Sequence, residues 1–157
     1  MSGGAALRPA RPEEAAALAA LAGRAYAGYV PLIGRRPAPM DDDYAARIAA
    51  GQAWVLEAEG GGLAALLVLE AADGHLWLDN IAVDPAAQGS GLGRALMRFV
   101  GGEALRRGLP EVRLLTNERM ERNLGFYARL GFAELERREE KGFRRVYMAI
   151  QADRLAV

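Results

Sequence analysis

The chain has 157 residues, long enough for one domain with a substantial core, and its 52% apolar and 25% charged residues are the balance of a folded globular protein. With no cysteine it can form neither disulfides nor zinc–thiolate centres, and a cysteine nucleophile is excluded. A formal net charge of zero argues against broad binding to nucleic acid or acidic membranes.

In chain order, Leu7-Arg8-Pro9 reads as a short first strand, and Arg11-Pro12-Glu13-Glu14 opens a helix, since proline and acids suit a first turn. That helix is expected to run to about Tyr29, with Leu18, Leu21, Ala22 and Ala25 at core-facing spacing, and to stop at Tyr29-Val30-Pro31. The prolines and glycine of Leu32 to Met40 argue against regular structure there, and Asp41-Asp42-Asp43 then caps a second short helix, Tyr44 to Ala50. Ala53 to Glu59 and Leu63 to Glu70 are strands joined by Gly60-Gly61-Gly62. His75 to Val83 is a third strand, apolar apart from Asp79 and Asn80, and is expected to be covered on both faces.

After a glycine loop, Leu92, Ala95, Leu96, Phe99 and Val100 form one apolar helix face, with Gly101-Gly102 expected to bend or fray the helix before Gly108-Leu109-Pro110 ends it. Glu111 to Leu115 is a strand. Thr116 or Asn117 is expected to cap a helix from Glu118 to Leu130, with Gly131 as its stop. Phe132 to Glu139 and Phe143 to Ile150 close the chain as a hairpin. The opening Met1-Ser2-Gly3-Gly4 lacks the apolar stretch of a signal peptide, and an apolar run such as Leu63 to Leu69 is too short to span a bilayer, so a cytoplasmic protein of one domain, residues 1–157, is expected.

The informative joint is Leu76 to Val100, a strand, a loop with Gly89, Gly91 and Gly93 in alternation, and a helix. The first turn of a helix leaves N–H groups without intrahelical partners and carries partial positive charge. Glycines let a phosphate approach those groups. A Walker A loop is excluded because Gly93 is followed by Arg94-Ala95 rather than lysine and a hydroxyl residue. A dinucleotide fingerprint is excluded because its third glycine would fall on Arg94 or Leu96.

Gln88-Gly89-Ser90-Gly91-Leu92-Gly93 resembles the Gln/Arg-x-x-Gly-x-Gly/Ala signature of the GNAT superfamily of N-acetyltransferases, and Asn80 to Pro85 resembles that family's strand before the loop. A second motif follows in the family's order. Asn123 and Tyr127 are four apart, so they share one helix face, and Leu130-Gly131-Phe132 completes the family's Asn-x-x-x-Tyr…Leu-Gly-Phe pattern. The resemblance covers nearly the whole chain. It implies an α/β (α+β) fold of order β-α-α-β-β-β-α-β-α-β-β, with a mixed, mostly antiparallel sheet of about seven strands and helices on both faces.

The same resemblance implies acetyl-coenzyme A as cofactor, with its pyrophosphate on Gln88, Gly89, Ser90, Gly91, Leu92, Gly93 and Arg94, its arm along Ile81, Ala82 and Val83, and Asn123 on the pantetheine. Tyr127 would then be the general acid to the departing thiolate. No base carries over, because Trp77 occupies the neighbourhood where some relatives hold a glutamate; Asp79 is the nearest carboxylate by position, and His75 reads as a solvated turn residue. Tyr29, Arg35 and Asn80 are candidates for contact with the acceptor, a small-molecule or peptide amine, and Gly34 to Met40 with Asp43-Tyr44 resembles a bacterial subgroup of the superfamily. No metal, nucleic acid or membrane is implied, and a homodimer is left open. The rival reading is a non-catalytic acyl-coenzyme A-binding module that acts as a sensor or interaction domain.

Charge is uneven along the chain, with 6 basic against 10 acidic residues up to Val83 and 14 against 10 from Asp84 onwards. That split suits an anionic cofactor on the second half and a cationic acceptor on the first, and equally an ordinary solvated surface.

Overall fold

Alternation and helical periodicity resolve, in a computed structural model describing residues 7–157, into strands β1 (Arg8–Pro9), β2 (Ala53–Glu57), β3 (Leu63–Ala72), β4 (His75–Val83), β5 (Glu111–Asn117), β6 (Ala133–Glu140) and β7 (Phe143–Gln151). The helices are α1 (Ala15–Tyr26), α2 (Val30–Ile33), α3 (Tyr44–Ala49), α4 (Leu92–Arg106), α5 (Glu121–Leu130) and α6 (Ala152–Leu155). Met1-Ser2-Gly3-Gly4 lies outside the described residues. The seven strands form one open sheet in the order β1-β2-β3-β4-β5-β7-β6. β4 and β5 run parallel, while β1–β2, β2–β3, β5–β7 and β6–β7 are antiparallel. The chain divides into two compact units, one of Met1–Leu69 and Asn80–Gly93, the other of Glu70–Asp79 and Arg94–Val157.

In the first unit, α1 buries Leu18, Leu21, Ala22 and Tyr26, a stripe of helical period, so Tyr26 takes the core position expected of Ala25. Helical structure does not stop at Pro31. A 3₁₀ turn, Ala27–Tyr29, leads into α2, where Pro31 sits in the first turn and needs no N–H partner, and Gly34 (φ 90°) ends it. A further 3₁₀ turn, Ala38–Asp41, lies where no regular structure was expected. By length and composition the helical stretch Pro12–Ile33, of 22 residues, is apolar enough to cross a membrane, which a criterion of unbroken apolar runs misses because Gly23, Arg24, Gly28 and Pro31 interrupt it. Within it Leu18, Leu21, Ala22 and Tyr26 are buried. Asp43 caps α3 as expected, accepting from the Ala46 N–H (3.1 Å). On β3 the run Ala64 to Leu69 is buried on both faces.

In the second unit β5 pairs with β7 from Glu111↔Gln151 to Asn117↔Arg145, two residues beyond the expected strand end. Glu118 therefore stays with the sheet: its N–H donates to the Arg144 carbonyl (2.9 Å), its carboxylate meets Arg137 and Arg144, and α5 starts only at Glu121. α4 continues unbroken through Gly101 and Gly102 to Arg106. A β-carbon on Gly101 would lie 2.6 Å from the Ala156 nitrogen and 3.0 Å from the Ala152 carbonyl oxygen, so this glycine is what lets the α6 segment lie against the helix. The buried side of α4 is accordingly Leu96, Met97, Val100, Gly101, Glu103 and Ala104, not the face through Ala95. Burial would raise the Glu103 carboxyl, but Arg106 and Arg107 outweigh it and hold the group below its usual range. β6 ends the sheet, and Ala133 to Glu139 are exposed on both of its faces.

β4 runs through both units. Its burial alternates, Leu76, Leu78, Asn80 and Ala82 inward and His75, Trp77, Asp79, Ile81 and Val83 half-buried, so one face is only partly covered, contrary to expectation.

Candidate active site

In the first unit the end of β4 is turned into the glycine loop by a chain of short contacts. The Asp84 N–H donates to the Ala64 carbonyl (2.8 Å), and the Asp84 carboxylate accepts from the Ala86 N–H (2.9 Å) and from Arg24 (2.7 Å). Those two donors, the amide first, hold the Asp84 carboxyl below its ordinary value. Gln88 folds back, its Nε2 donating to the Val83 carbonyl (3.1 Å), and the Ser90 hydroxyl donates to the Ala87 carbonyl (2.9 Å). Both side chains thus brace the loop from within.

Gly89 and Gly91 both have left-handed backbones (φ 87° and 75°), and no atom lies within 4 Å of where a β-carbon would stand on either. The loop runs directly into α4, whose first N–H groups, on Leu92, Gly93 and Arg94, have no i−4 carbonyl within the helix. Open space thus stands over Gly89 and Gly91 at the head of a helix, where main-chain N–H groups and the helix dipole favour an anion.

Also in the first unit, Asn80 is 5% exposed, and both ends of its carboxamide are engaged. Its Oδ1 faces the Tyr26 hydroxyl (2.6 Å) and its Nδ2 donates to the Tyr44 hydroxyl (2.9 Å). Tyr26 also reaches the Ile81 carbonyl (2.9 Å), and Tyr44 donates to the Pro39 carbonyl (2.5 Å). Tyr26 and Tyr44 are partners that sequence reasoning missed. The available signal was that a buried asparagine on an apolar strand requires donors and acceptors, and tyrosines at core-facing helix positions supply them. Tyr29 is half-buried, its ring 6.3 Å from that of Tyr26, while Arg35 is exposed beyond α2.

In the second unit, Asn123 and Tyr127 share the α5 face as expected. Asn123 donates from Nδ2 to the Met120 sulfur (3.6 Å), which the Thr116 hydroxyl also approaches (3.5 Å). Tyr127 is 5% exposed, between Phe126 and Phe132. Asp79 is half-buried on the Trp77 side of β4. The parallel register of β4 with β5 covers His75–Leu78 against Glu111–Leu114. On the same side of the sheet Trp77 and Tyr147 meet at 6.1 Å, Arg138 lies 4.1 Å above the Tyr147 ring, and the Tyr147 hydroxyl bonds Glu140.

Known proteins share this fold. The profile of the acetyltransferase (GNAT) domain matches residues 49–134. No curated protein matches the chain. Among solved structures, a GCN5-related N-acetyltransferase from Rhodopseudomonas palustris superposes with a TM-score of 0.77 at 22% identity, over 96% of this chain and 98% of its own. The PaiA N-acetyltransferase of Thermoplasma acidophilum, solved with coenzyme A, gives 0.76 at 16% identity over 96% and 99%. The ribosomal-protein-S18-alanine N-acetyltransferase of Escherichia coli gives 0.72 at 23% identity over 94% and 93%. Since the matched profile spans more than half of the sequence, from the end of α3 to the start of β6, the chain belongs to the GNAT family of acetyltransferases.

Proposed function

We propose that the protein is an N-acetyltransferase that moves the acetyl group of acetyl-coenzyme A onto a primary amine of a small molecule or peptide by direct attack. The observation that carries this reading is the open space over Gly89 and Gly91 at the head of α4. When bound, acetyl-coenzyme A supplies the acyl group as an activated thioester. The N–H groups from Gly89 to Arg94 hold the diphosphate, with Gln88 and Ser90 bracing the loop that presents them. Main-chain groups of Ile81, Ala82 and Val83 orient the acyl arm, and donors there stabilise negative charge on the acyl oxygen. Asn123 bonds the pantetheine.

Tyr127 holds the proton delivered to the leaving sulfur, and its burial between Phe126 and Phe132 fixes where that proton is offered. Asp79 is the carboxylate assigned to take up the proton of the amine through water. Tyr29 and Arg35 line the acceptor side, and an acceptor on a peptide agrees with the alanine N-acetyltransferase named among the structural neighbours. The same reading takes residues 1–157 as one acetyltransferase domain working in the cytoplasm.

The test has two arms. Acetyl-coenzyme A at about a hundred times its dissociation constant should raise stability by about 2.7 kcal/mol, whereas ATP and NAD should leave the melting temperature in place. Thiol release with an amine panel should then fall about 10²- to 10⁴-fold in Tyr127→Phe. Equal, minimal turnover in both proteins with every amine would instead identify a binding module.

A further inference from the structure

We propose that Met120 is a positioning residue for the cofactor, its thioether fixing the Asn123 carboxamide in the orientation that meets the pantetheine arm of acetyl-coenzyme A. The proposal rests on the functional reading above, which assigns Asn123 to that arm.

Met120 stands at the N-cap of α5 (φ −86°, ψ 67°). Serine, threonine, aspartate and asparagine are the usual choices there, because a short polar side chain accepts from the first turn of the helix. A methionine does not serve that purpose, and its sulfur is engaged otherwise. It accepts from the Thr116 hydroxyl (3.5 Å) on β5 and from Asn123 Nδ2 (3.6 Å) in the first turn of α5. The main chain holds the residue on both sides: the Met120 N–H donates to the Asn117 carbonyl (2.9 Å), and the Met120 carbonyl accepts from the Leu124 N–H (3.0 Å). Thr116 and Met120 are each 5% exposed. Strand end, sulfur and helix start thereby form one packed joint within the second unit.

The acceptor character of the sulfur is what matters. The two ends of a carboxamide are nearly equal in size, so packing alone hardly separates one orientation from its reverse, whereas a neighbour that accepts and cannot donate does. A thioether is such a neighbour. It draws Nδ2 towards Met120 and turns Oδ1 away from the sulfur, and because the sulfur is shielded from water, solvent does not compete for that preference. Leucine would fill nearly the same volume and leave the carboxamide without this bias, so the loss is expected in affinity rather than in folding.

Titration calorimetry on Met120→Leu, Asn123→Ala and the double variant tests the assignment with two ligands, acetyl-coenzyme A and 3′-phospho-ADP, the half of coenzyme A that carries the diphosphate but no pantetheine. Met120→Leu should weaken acetyl-coenzyme A binding about 3- to 10-fold and leave the shorter ligand unaffected. Added to Asn123→Ala it should cost nothing more, because a residue that acts through another is silent once that one is gone. In steady-state turnover, Met120→Leu should raise the acetyl-coenzyme A KM by more than it lowers kcat. Unchanged affinity for acetyl-coenzyme A, equal weakening of both ligands, or additive losses in the double variant would overturn the proposal and leave Met120 a packing residue. A wild-type protein that did not bind acetyl-coenzyme A would instead overturn the functional reading on which the proposal stands. In a wild-type protein that bound it but acetylated no amine, the calorimetric pattern alone would decide.

Discussion

The ring of Phe132 stands 5.6 Å from that of Tyr127 at an interplanar angle of 63°, and the same two residues are joined through their main chains, the Phe132 N–H donating to the Tyr127 carbonyl (3.1 Å). Between them Gly131 (φ 108°) donates to the Ala128 carbonyl (3.0 Å). This is a Schellman stop with its apolar contact, which gives Tyr127, Gly131 and Phe132 a shared structural reason for their spacing. The residue that ends α5 also fixes the phenol assigned to proton delivery.

Removing that contact should therefore cost stability and rate together. Phe132→Ala empties a buried aromatic site and should destabilise by about 3–5 kcal/mol, lowering the melting temperature by roughly 10 °C. Tyr127→Phe keeps the ring pair and should lose rate with little change in melting temperature. Calorimetry and thiol release on both variants check the contrast; equal thermal losses would refute it.

Side chains at the glycine loop should oppose the cofactor. Gly91→Val places a β-branched residue at a left-handed backbone, at a cost of roughly 1–2 kcal/mol, and puts its side chain into the space above the loop. Titration calorimetry should show acetyl-coenzyme A binding weakened more than tenfold, while Gly102→Ala, in exposed helix, leaves binding intact.

Gly101→Ala should act on packing, since its β-carbon would meet the α6 main chain at 2.6 Å, and backbone cannot swing aside as a side chain can. Overpacking of this kind costs about 1–3 kcal/mol. Faster hydrogen exchange across Ala152 to Leu155, with a lower melting temperature, is the expected result.

Acid should weaken the first unit through Glu14. The Arg8 guanidinium, bonded to both carboxylate oxygens (2.9 and 2.8 Å), holds this carboxyl down to about 2 from 4.5, against the contrary effect of burial and with help from the Arg11 N–H. Because the folded value lies below the unfolded one, the contribution is fully present above pH 4.5 and is lost as pH falls towards 2. Solvent screening leaves about 1 kcal/mol, so Glu14→Gln should flatten the melting-temperature profile between about pH 5 and 2 and lower it at pH 7.

What was legible in the sequence depended on whether neighbours along the chain or distant ones decide an outcome. The glycine loop between β4 and α4, the Asp43 cap and the Gly131 stop are local solutions to local problems, and they read correctly as structure. Glu118 looked like a helix opener because acids suit a first turn, but β7 supplied a better partner for its N–H. Gly101 looked like a flaw because nothing nearby shows that the last turn of the chain lies against it. Asn80 could be recognised as a buried polar group, yet its partners Tyr26 and Tyr44 come from helices that only the fold brings to it.

The final strand of the sheet, β6, runs Ala133 to Glu140 with charge on both flanks. A rotationally symmetric pairing of two such rims about any residue from Glu136 to Glu140 would set that residue against its own copy, arginine facing arginine or glutamate facing glutamate. Stacking into longer ribbons is thereby discouraged at high concentration, which leaves the border of the molecule solvated without a capping helix.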